Sequence, residues 1–181
     1  MNPDPEWIVT RINGKITSVS ADYSYLSRLL TRVPSEKINC ICTERISTDE
    51  LFSLSDTVKW EDLFLVGSKF QLQVWRALFD ITHGSDAHPR VYSYSQFAES
   101  IGKGSGVRAV AHAIGLNPVP VIIPCHLIIP KEAAAKLHEI ENENGLFRWK
   151  ALYIVDRNID YGEYSLGAPL KHLLIDLHLT R

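Results

Sequence analysis

The sequence predicts a mixed α/β (α+β) fold, in which a small amino-terminal α/β domain precedes a mainly helical carboxy-terminal domain. Three observations support this: apolar and polar residues alternate near the amino terminus, helical periodicity begins at Ser68, and a glycine-rich turn joins two short helical segments. The chain has 181 residues, 45% of them hydrophobic, enough for one domain with a substantial core or two small ones. We predict domains at residues 1–65 and 66–181.

Composition narrows the classes of function. No apolar run approaches the ~20 residues of a membrane span, and the first residues, MNPDPEWIV, lack the features of a secretory signal. Three cysteines cannot all pair, so we expect free thiols in the cytoplasm or, in a eukaryote, the nucleus. The net charge of −2 argues against bulk-charge binding of nucleic acid, although residues 87–131 carry four basic residues against one acidic residue.

The amino-terminal elements begin with a hairpin. The run WIVTRINGKITSVS alternates around Asn13-Gly14, a dipeptide that suits a type I′ turn because both central residues need positive φ. Asp22 can cap a helix that reaches about Arg32. These pieces predict a two-stranded ribbon followed by a helix.

Residues 36–44 alternate again and predict a third strand. Cys40 and Cys42 lie within it, on the same face of the strand. A zinc site would need a second pair of ligands nearby, which the sequence does not offer at zinc spacing. We therefore interpret both cysteines as half-buried strand residues.

The carboxy-terminal part begins with helices. Ser68 and Gln71 have the spacing of a capping box, and apolar residues recur at the 3.6-residue period as far as Ile81, which predicts a core helix. A second capping box, Ser93 with Gln96, predicts a short helix that ends near residue 102.

A glycine-rich turn at residues 102–106 leads into VRAVAHAIG, and the two helices with this turn predict a helix-turn-helix. On the second helix, Arg108, Ala109 and His112 fall opposite the apolar stripe. This pattern alone fits either a plain amphipathic helix or a docking surface.

The segment NPVPVIIPCHLII, residues 117–129, sets a cysteine between a proline and a histidine. Two prolines exclude regular structure at its start, and residues 121–123 then predict a short buried strand that Pro124 ends. Cys125 would be presented at the end of that strand with His126 beside it. A thiolate is the nucleophilic form of cysteine, but a Cys-His pair alone fits a buried structural cysteine equally well.

Four segments, taken in order, make the assignment more specific. RAVAHAIGLNPVPVIIPCHL resembles the motif RAVxxAxxxNPxPxxxPCHR of the O6-alkylguanine-DNA alkyltransferases, also called methylated-DNA–protein-cysteine methyltransferases. FQLQVWRALFDI and VYSYSQFAESIG match that family's first carboxy-domain helix and the entry to its helix-turn-helix, and GEYSLGAPLKHLLIDLH resembles its closing loop and last helix. The resemblance covers about residues 67–178.

The resemblance implies a single-turnover DNA repair protein. Such a protein binds duplex DNA through the minor groove, rotates the damaged guanine out of the stack and transfers its O6-alkyl group to a cysteine of its own. O4-alkylthymine is implied as a second substrate. No cofactor and no metal are implied, the partner is double-stranded DNA rather than a membrane, and we expect a monomer.

Residues at matching positions carry roles that the resemblance implies. Cys125 is the alkyl acceptor, His126 the base acting through a water, and Asn117 the residue that holds the turn. The other matching residues would contact DNA or substrate: Arg108 fills the gap in the stack, Ala109 and Ala111 allow close approach to the groove, Tyr94 helps to rotate the nucleotide, and Tyr164, Ser165 and Lys171 form the pocket loop.

The sequence departs from the family pattern at several positions. Leu127 replaces the arginine of PCHR, and Ala111 and His112 replace paired glycines of the recognition helix. The carboxylate expected to orient the histidine falls on His178, while Asp176 lies about 200° away around the helix.

Residues 130–159 form an insertion. It contains the strong helix former KEAAAKLHEIENEN and the apolar run GLFRWKALYIV, which fits a strand or a second helix. A competing register would place the pocket loop at GLFRW. We prefer Tyr164-Ser165, since Gly167 and Lys171 then also match.

Two alternatives remain open at this point. One is a DNA-binding protein of the same fold that senses alkylated bases with weak or no transfer, which the missing arginine and carboxylate favour. The other is a cysteine hydrolase that uses Cys125 with one of the three histidines His112, His126 and His178. The predicted helix-turn-helix and the lack of an evident oxyanion loop argue against it.

Overall fold

The computed structural model describes residues 5–22, 30–84, 90–144, 159–162 and 164–180, with side chains through residue 139 of the third range. The chain forms two compact units. The first comprises residues 1–87 and 116–125, and the second residues 88–115 and 126–181. The mixed α/β fold class is confirmed. The predicted domains, 1–65 and 66–181, stay a prediction, because these units group residues by contact and say nothing about independent folding.

The first unit contains a three-stranded antiparallel sheet in the order β2-β1-β3, formed by Trp7–Ile12 (β1), Lys15–Ser20 (β2) and Ile41–Ile46 (β3). The predicted hairpin is confirmed, with φ of 52° at Asn13 and 80° at Gly14. The helix predicted from Asp22 falls largely outside the described residues.

The third strand begins later than predicted. Residues 35–37 form a 3-10 turn, and the Asn13 side chain accepts the backbone N–H groups of Asn39 and Cys40, which a strand would use for pairing. Cys40 and Cys42 are exposed, so their interpretation as half-buried residues was wrong. The reason is that β3 lies at the sheet edge and leaves most of its side chains in solvent.

The first unit also contains the helices Thr48–Ser55 (α1) and Lys69–His83 (α2), with a short 3-10 helix, Trp60–Asp62, between them. The predicted capping box of Ser68 with Gln71 is confirmed, and α2 buries the side chains Val74, Trp75, Leu78 and Phe79. Each such side chain contributes about 1.5–3 kcal/mol by leaving water. The indole of Trp7 donates to Thr48 Oγ1 at 2.9 Å and ties the sheet to α1.

The second unit contains the predicted helix-turn-helix. Tyr94–Ser100 (α3) starts at the capping box of Ser93 with Gln96, and Val107–Gly115 (α4) follows the glycine-rich turn. Gly102 has a φ of 69°, a conformation that glycine adopts without steric cost. Two short strands, Tyr92–Ser93 (β4) and Ile128–Ile129 (β5), pair in parallel beside it.

Two longer helices, Lys131–Asn144 (α5) and Ala168–Thr180 (α6), complete the elements described in the second unit. The helix predicted in the insertion is α5, which buries Ala133, Ala134 and Leu137. The apolar run GLFRWKALYIV lies almost entirely outside the described residues. Within the described ranges, no helix combines the length and the apolar character needed to cross a bilayer.

Candidate active site

The segment before Cys125 is a tight loop, not the predicted strand. Pro118, Pro120 and Pro124 lack backbone donors, so the segment cannot pair as a strand and closes on itself. The N–H of Ile123 donates to the Val119 carbonyl at 2.9 Å. Cys125 then opens a 3-10 turn, Cys125–Leu127, instead of ending a strand.

The side chain of Asn117 organises this loop. Its Nδ2 donates to the Ile123 carbonyl at 2.8 Å and to Cys125 Sγ at 3.0 Å, while its Oδ1 accepts from the Val119 N–H at 3.1 Å. A reversed amide would place two acceptors, Oδ1 and the Ile123 carbonyl, against each other. The surroundings therefore fix Nδ2 as the group that faces the sulfur.

Cys125 is nearly buried, with 7% of its surface exposed, and its own N–H donates to the Ile123 carbonyl at 2.8 Å. A hydrogen bond to an anion is stronger than one to the corresponding neutral group, so the Asn117 donor favours the thiolate over the thiol. The thiolate is the nucleophilic form of cysteine. The loop thus holds one sulfur in a defined position with a donor that supports its reactive state.

Val121 shows that the loop is held under backbone strain. Its φ is 74°, in the left-handed region that β-branched residues rarely adopt, at a cost of about 1–3 kcal/mol. The side chain is fully buried, and burial of a valine offsets a cost of this size. Such strain is found where a chain must present a group in one geometry.

His126 is completely buried, and its Nε2 lies 2.8 Å from Nδ1 of His178 on α6. The two ring centroids are 4.9 Å apart with planes tilted by 38°. Burial first, and then the charges of His178 and Lys171, lower the pKa of His126 well below its ordinary value. His126 is therefore neutral near pH 7, and its Nδ1 has no hydrogen-bond partner among the described residues.

Lys171 is a buried lysine, 1% exposed, whose Nζ donates to the Tyr161 carbonyl at 2.7 Å. The same Nζ lies 6.0 Å from the ring centroids of Tyr94 and Tyr164, near the outer limit of a cation–π contact. The structure thus brings three of the predicted substrate residues together around one ammonium group.

Ser165 lies in the turn that precedes α6 and is exposed. The turn closes where the N–H of Gly167 donates to the Tyr164 carbonyl at 2.9 Å, with Gly167 at a φ of 93°. Ser165 and Tyr164 are thus adjacent residues of one tight turn.

Arg108, Ala109 and His112 lie on the exposed face of α4, as the helical periodicity predicts, while Val110, Ala113 and Ile114 form its buried face. The exposed face combines one arginine with a small side chain. A surface of this kind can approach the backbone of a duplex closely.

Two of the family departures have structural consequences. Leu127 is fully buried, so an apolar side chain has replaced the family arginine without exposing apolar surface. On α6, Asp176 Oδ1 is buried with no partner among the described side chains, and desolvation raises the pKa of Asp176 to about 7. His178 holds the position of the expected carboxylate and contacts His126, and Asp176 does not replace it there.

Sequence reasoning missed Tyr161. Its carbonyl holds Lys171, and its ring packs 4.4 Å from that of His172. The only local signal is an aromatic residue before a glycine, which is too common to predict a main-chain contact to a lysine ten residues later.

Residues 69–153 match the family model described as the 6-O-methylguanine DNA methyltransferase, DNA binding domain. Among curated proteins, the chain is 46% identical over 68 residues to the inducible methylated-DNA–protein-cysteine methyltransferase of Bacillus subtilis, covering 38% of this chain and 35% of that protein. It is 34% identical over 118 residues to the regulatory protein ada of Salmonella typhimurium, covering 63% of this chain and 32% of that protein.

A probable methylated-DNA–protein-cysteine methyltransferase of Acanthamoeba polyphaga mimivirus is 41% identical over 70 residues, covering 39% of this chain and 44% of that protein. The chain therefore spans less than half the length of each of these curated relatives in the matched region.

A crystal structure of the Mycobacterium tuberculosis O6-methylguanine methyltransferase is similar in fold, with a TM-score of 0.53 and 20% identity over 93% of this chain and 82% of that one. The region that the family model matches includes α2, the helix-turn-helix and the segment with Cys125. Residues 69–153 are therefore similar to the DNA binding domain of the 6-O-methylguanine DNA methyltransferases.

Proposed function

We propose that this protein repairs DNA by moving the alkyl group of O6-alkylguanine onto Cys125. The observation that carries the proposal is the Asn117 donor 3.0 Å from Cys125 Sγ, in a strained loop whose next residue is a buried neutral histidine. The relatives named methylated-DNA–protein-cysteine methyltransferase support the same reaction.

In the proposed reaction the thiolate of Cys125 attacks the alkyl carbon, a C–S bond forms and the carbon–oxygen bond to guanine breaks. Guanine leaves as its anion and takes up one proton, and the thiol proton has passed to His126 through a water. Charge and protons therefore balance without a cofactor. The product thioether has no route back to a thiol, so each molecule reacts once.

The roles of the other residues belong to the same proposal. Arg108 enters the duplex at the gap left by the rotated base, and Ala109 permits close approach. Tyr94, Tyr164 and Ser165 contact the rotated nucleotide, and Lys171 supports these residues in position. O4-alkylthymine is a second substrate, and the protein acts as a monomer on double-stranded DNA. Because the reaction needs a reduced thiol, the protein works in the cytoplasm or nucleus.

The test uses a duplex with one O6-methylguanine labelled in the methyl group. After incubation, mass spectrometry of the peptide that contains Cys125 is expected to show one added methyl per protein molecule, and Cys125→Ser none. Cys40 and Cys42, which are exposed, serve as references for nonspecific methylation. Tight binding without label would support an alkylated-DNA-binding protein and contradict transfer.

A further inference from the structure

The surroundings determine which ring donates in the hydrogen bond between His126 and His178. One ring nitrogen of the pair must donate across the 2.8 Å separation and the other must accept. If Nε2 of His126 accepted, its proton would sit on Nδ1, where a buried N–H would lack a partner among the described residues. Orphaned N–H groups are rarer than under-used acceptors. His126 therefore donates from Nε2 and keeps an unprotonated Nδ1.

The charges around the pair favour a neutral resting state. Cys125 precedes His126 in the same 3-10 turn, and the two charged groups that lower its pKa, Lys171 and His178, are both on α6. The Lys171 ammonium disfavours a further positive charge. A neutral His126 with a free Nδ1 lone pair is the form that can accept a proton.

We propose that His178 is a positioning residue, which accepts the Nε2 proton of His126 and thereby keeps Nδ1 of His126 as the base for Cys125. The inference rests on the proposed function and adds to it how this chain orients its base without a carboxylate. Nδ1 of a neutral imidazole can supply the acceptor that a carboxylate would otherwise offer. A side chain at position 178 without an acceptor would leave the Nε2 proton of His126 without its partner.

The rate of alkyl transfer is therefore expected to depend on an acceptor at position 178. His178→Asn keeps an acceptor at the δ position and does not titrate, while His178→Leu has no acceptor. We expect His178→Leu to slow transfer at least about tenfold at pH 8, and His178→Asn to restore most of that loss.

The experiment measures single-turnover methyl transfer from the labelled duplex at pH 8. His172→Asn, on the same helix but outside the contact, is the control and should keep the wild-type rate. A His178→Asn variant that transfers as slowly as His178→Leu would overturn the proposal. So would a His178→Leu variant that transfers at the wild-type rate.

Two further measurements keep the inference testable apart from the function. Nitrogen-15 NMR of the imidazoles is expected to show a protonated Nε2 and an unprotonated Nδ1 in His126, and a protonated Nδ1 there would overturn the inference. The rate at which iodoacetamide alkylates Cys125, measured relative to Cys40 and Cys42, should be lowest in His178→Leu and largely restored in His178→Asn. If the NMR and iodoacetamide results agree with the inference but no methyl group leaves the DNA, the proposed function fails while the positioning role stands.

Discussion

At the scale of single residues, Asn117 is the side chain on which the reactive geometry depends. It spans the loop with three hydrogen bonds, one of them to the sulfur. Asn13 offers a natural comparison in the same unit, because its side chain also joins backbone groups, donating to the Lys37 carbonyl and accepting from the N–H groups of Asn39 and Cys40. Among the described residues it forms no hydrogen bond to a sulfur atom.

We expect Asn117→Asp to slow methyl transfer at least about tenfold, because a carboxylate cannot donate to the sulfur and its charge opposes the thiolate. Asn13→Asp, which likewise loses one donor to a main-chain carbonyl, should leave the transfer rate within about twofold. Rates come from the labelled-duplex assay with equal amounts of folded protein. Equal slowing in both variants would mean that Asn117 acts only through general stability.

The same residue scale shows where prediction from sequence succeeds and fails. The Asn13-Gly14 turn was predictable because positive φ at both positions is a local property. The run 121–123 was predicted as a buried strand, and it is buried, but an apolar run indicates burial without distinguishing a strand from a tight loop. Val121 lies between Val119 and Ile123, which are both hydrogen-bonded to Asn117, and an apolar run carries no signal for its positive φ.

At the scale of elements, the helix starts were the most predictable features. The capping boxes before α2 and α3 are local, since both partners lie within four residues, and both formed as expected. The box before α1, Ser47 with Glu50, has the same local signal and was not predicted. The start of β3 was placed too early, because the Asn13 contacts that displace it come from 26 and 27 residues away.

The start of α2 also carries a packing constraint. A Cβ added at Gly67 would lie 2.8 Å and 2.9 Å from atoms of the Trp75 ring, which is 2% exposed and cannot move freely. We therefore expect Gly67→Ala to lower the free energy of unfolding by about 1–3 kcal/mol, measured by urea denaturation. Gly115→Ala, where an added Cβ meets nothing within 4 Å, should cause no loss. A stable Gly67→Ala variant would contradict the close contact.

The exposed face of α4 leads to a prediction about DNA binding. Arg108→Ala is expected to weaken binding to a duplex with O6-methylguanine by about 1–3 kcal/mol, while the reaction of Cys125 with iodoacetamide stays unchanged. Arg76→Ala removes the same charge from an exposed site on α2 and should weaken binding less than about threefold. Electrophoretic mobility shifts at one fixed salt concentration measure both. Equal losses would indicate that only net charge matters.

At the scale of the whole molecule, stability should depend on pH through Asp176. Desolvation raises its pKa in the folded protein to about 7, above the ordinary value of 3.8, so the folded state binds a proton more tightly than the unfolded state. The stabilisation is complete below pH 3.8 and is lost as pH rises through 7. Because the residue is partly exposed, we discount the shift for solvent screening and expect the loss to be about 1–2 kcal/mol.

Asp176→Asn should remove this dependence and make the protein about 1–2 kcal/mol more stable than the wild type at pH 8, with little difference at pH 4. Urea midpoints at both pH values measure the change. Asp80→Asn, at an exposed position on α2, is the matched control and should show no such growth of stability toward pH 8. A wild type that gains stability from pH 4 to pH 8 relative to Asp176→Asn would contradict the burial of that carboxyl.

The whole molecule also shows how much of the site could be predicted from the sequence. The resemblance to the alkyltransferases placed His178 where a carboxylate is expected, and in the structure its Nδ1 lies 2.8 Å from Nε2 of His126. The contact of Lys171 with the Tyr161 carbonyl was not predictable, because it depends on how the chain folds back before α6. Spacing along a helix predicts which residue faces a site, and only the tertiary fold determines which backbone group meets it.

The most direct test is the mass of the Cys125 peptide after one incubation with a duplex that carries labelled O6-methylguanine. The account predicts a gain of one methyl group per protein molecule at Cys125, none at Cys40 or Cys42, and no second turnover with excess DNA. Methyl label that stays on the DNA while folded protein binds the duplex tightly would contradict it.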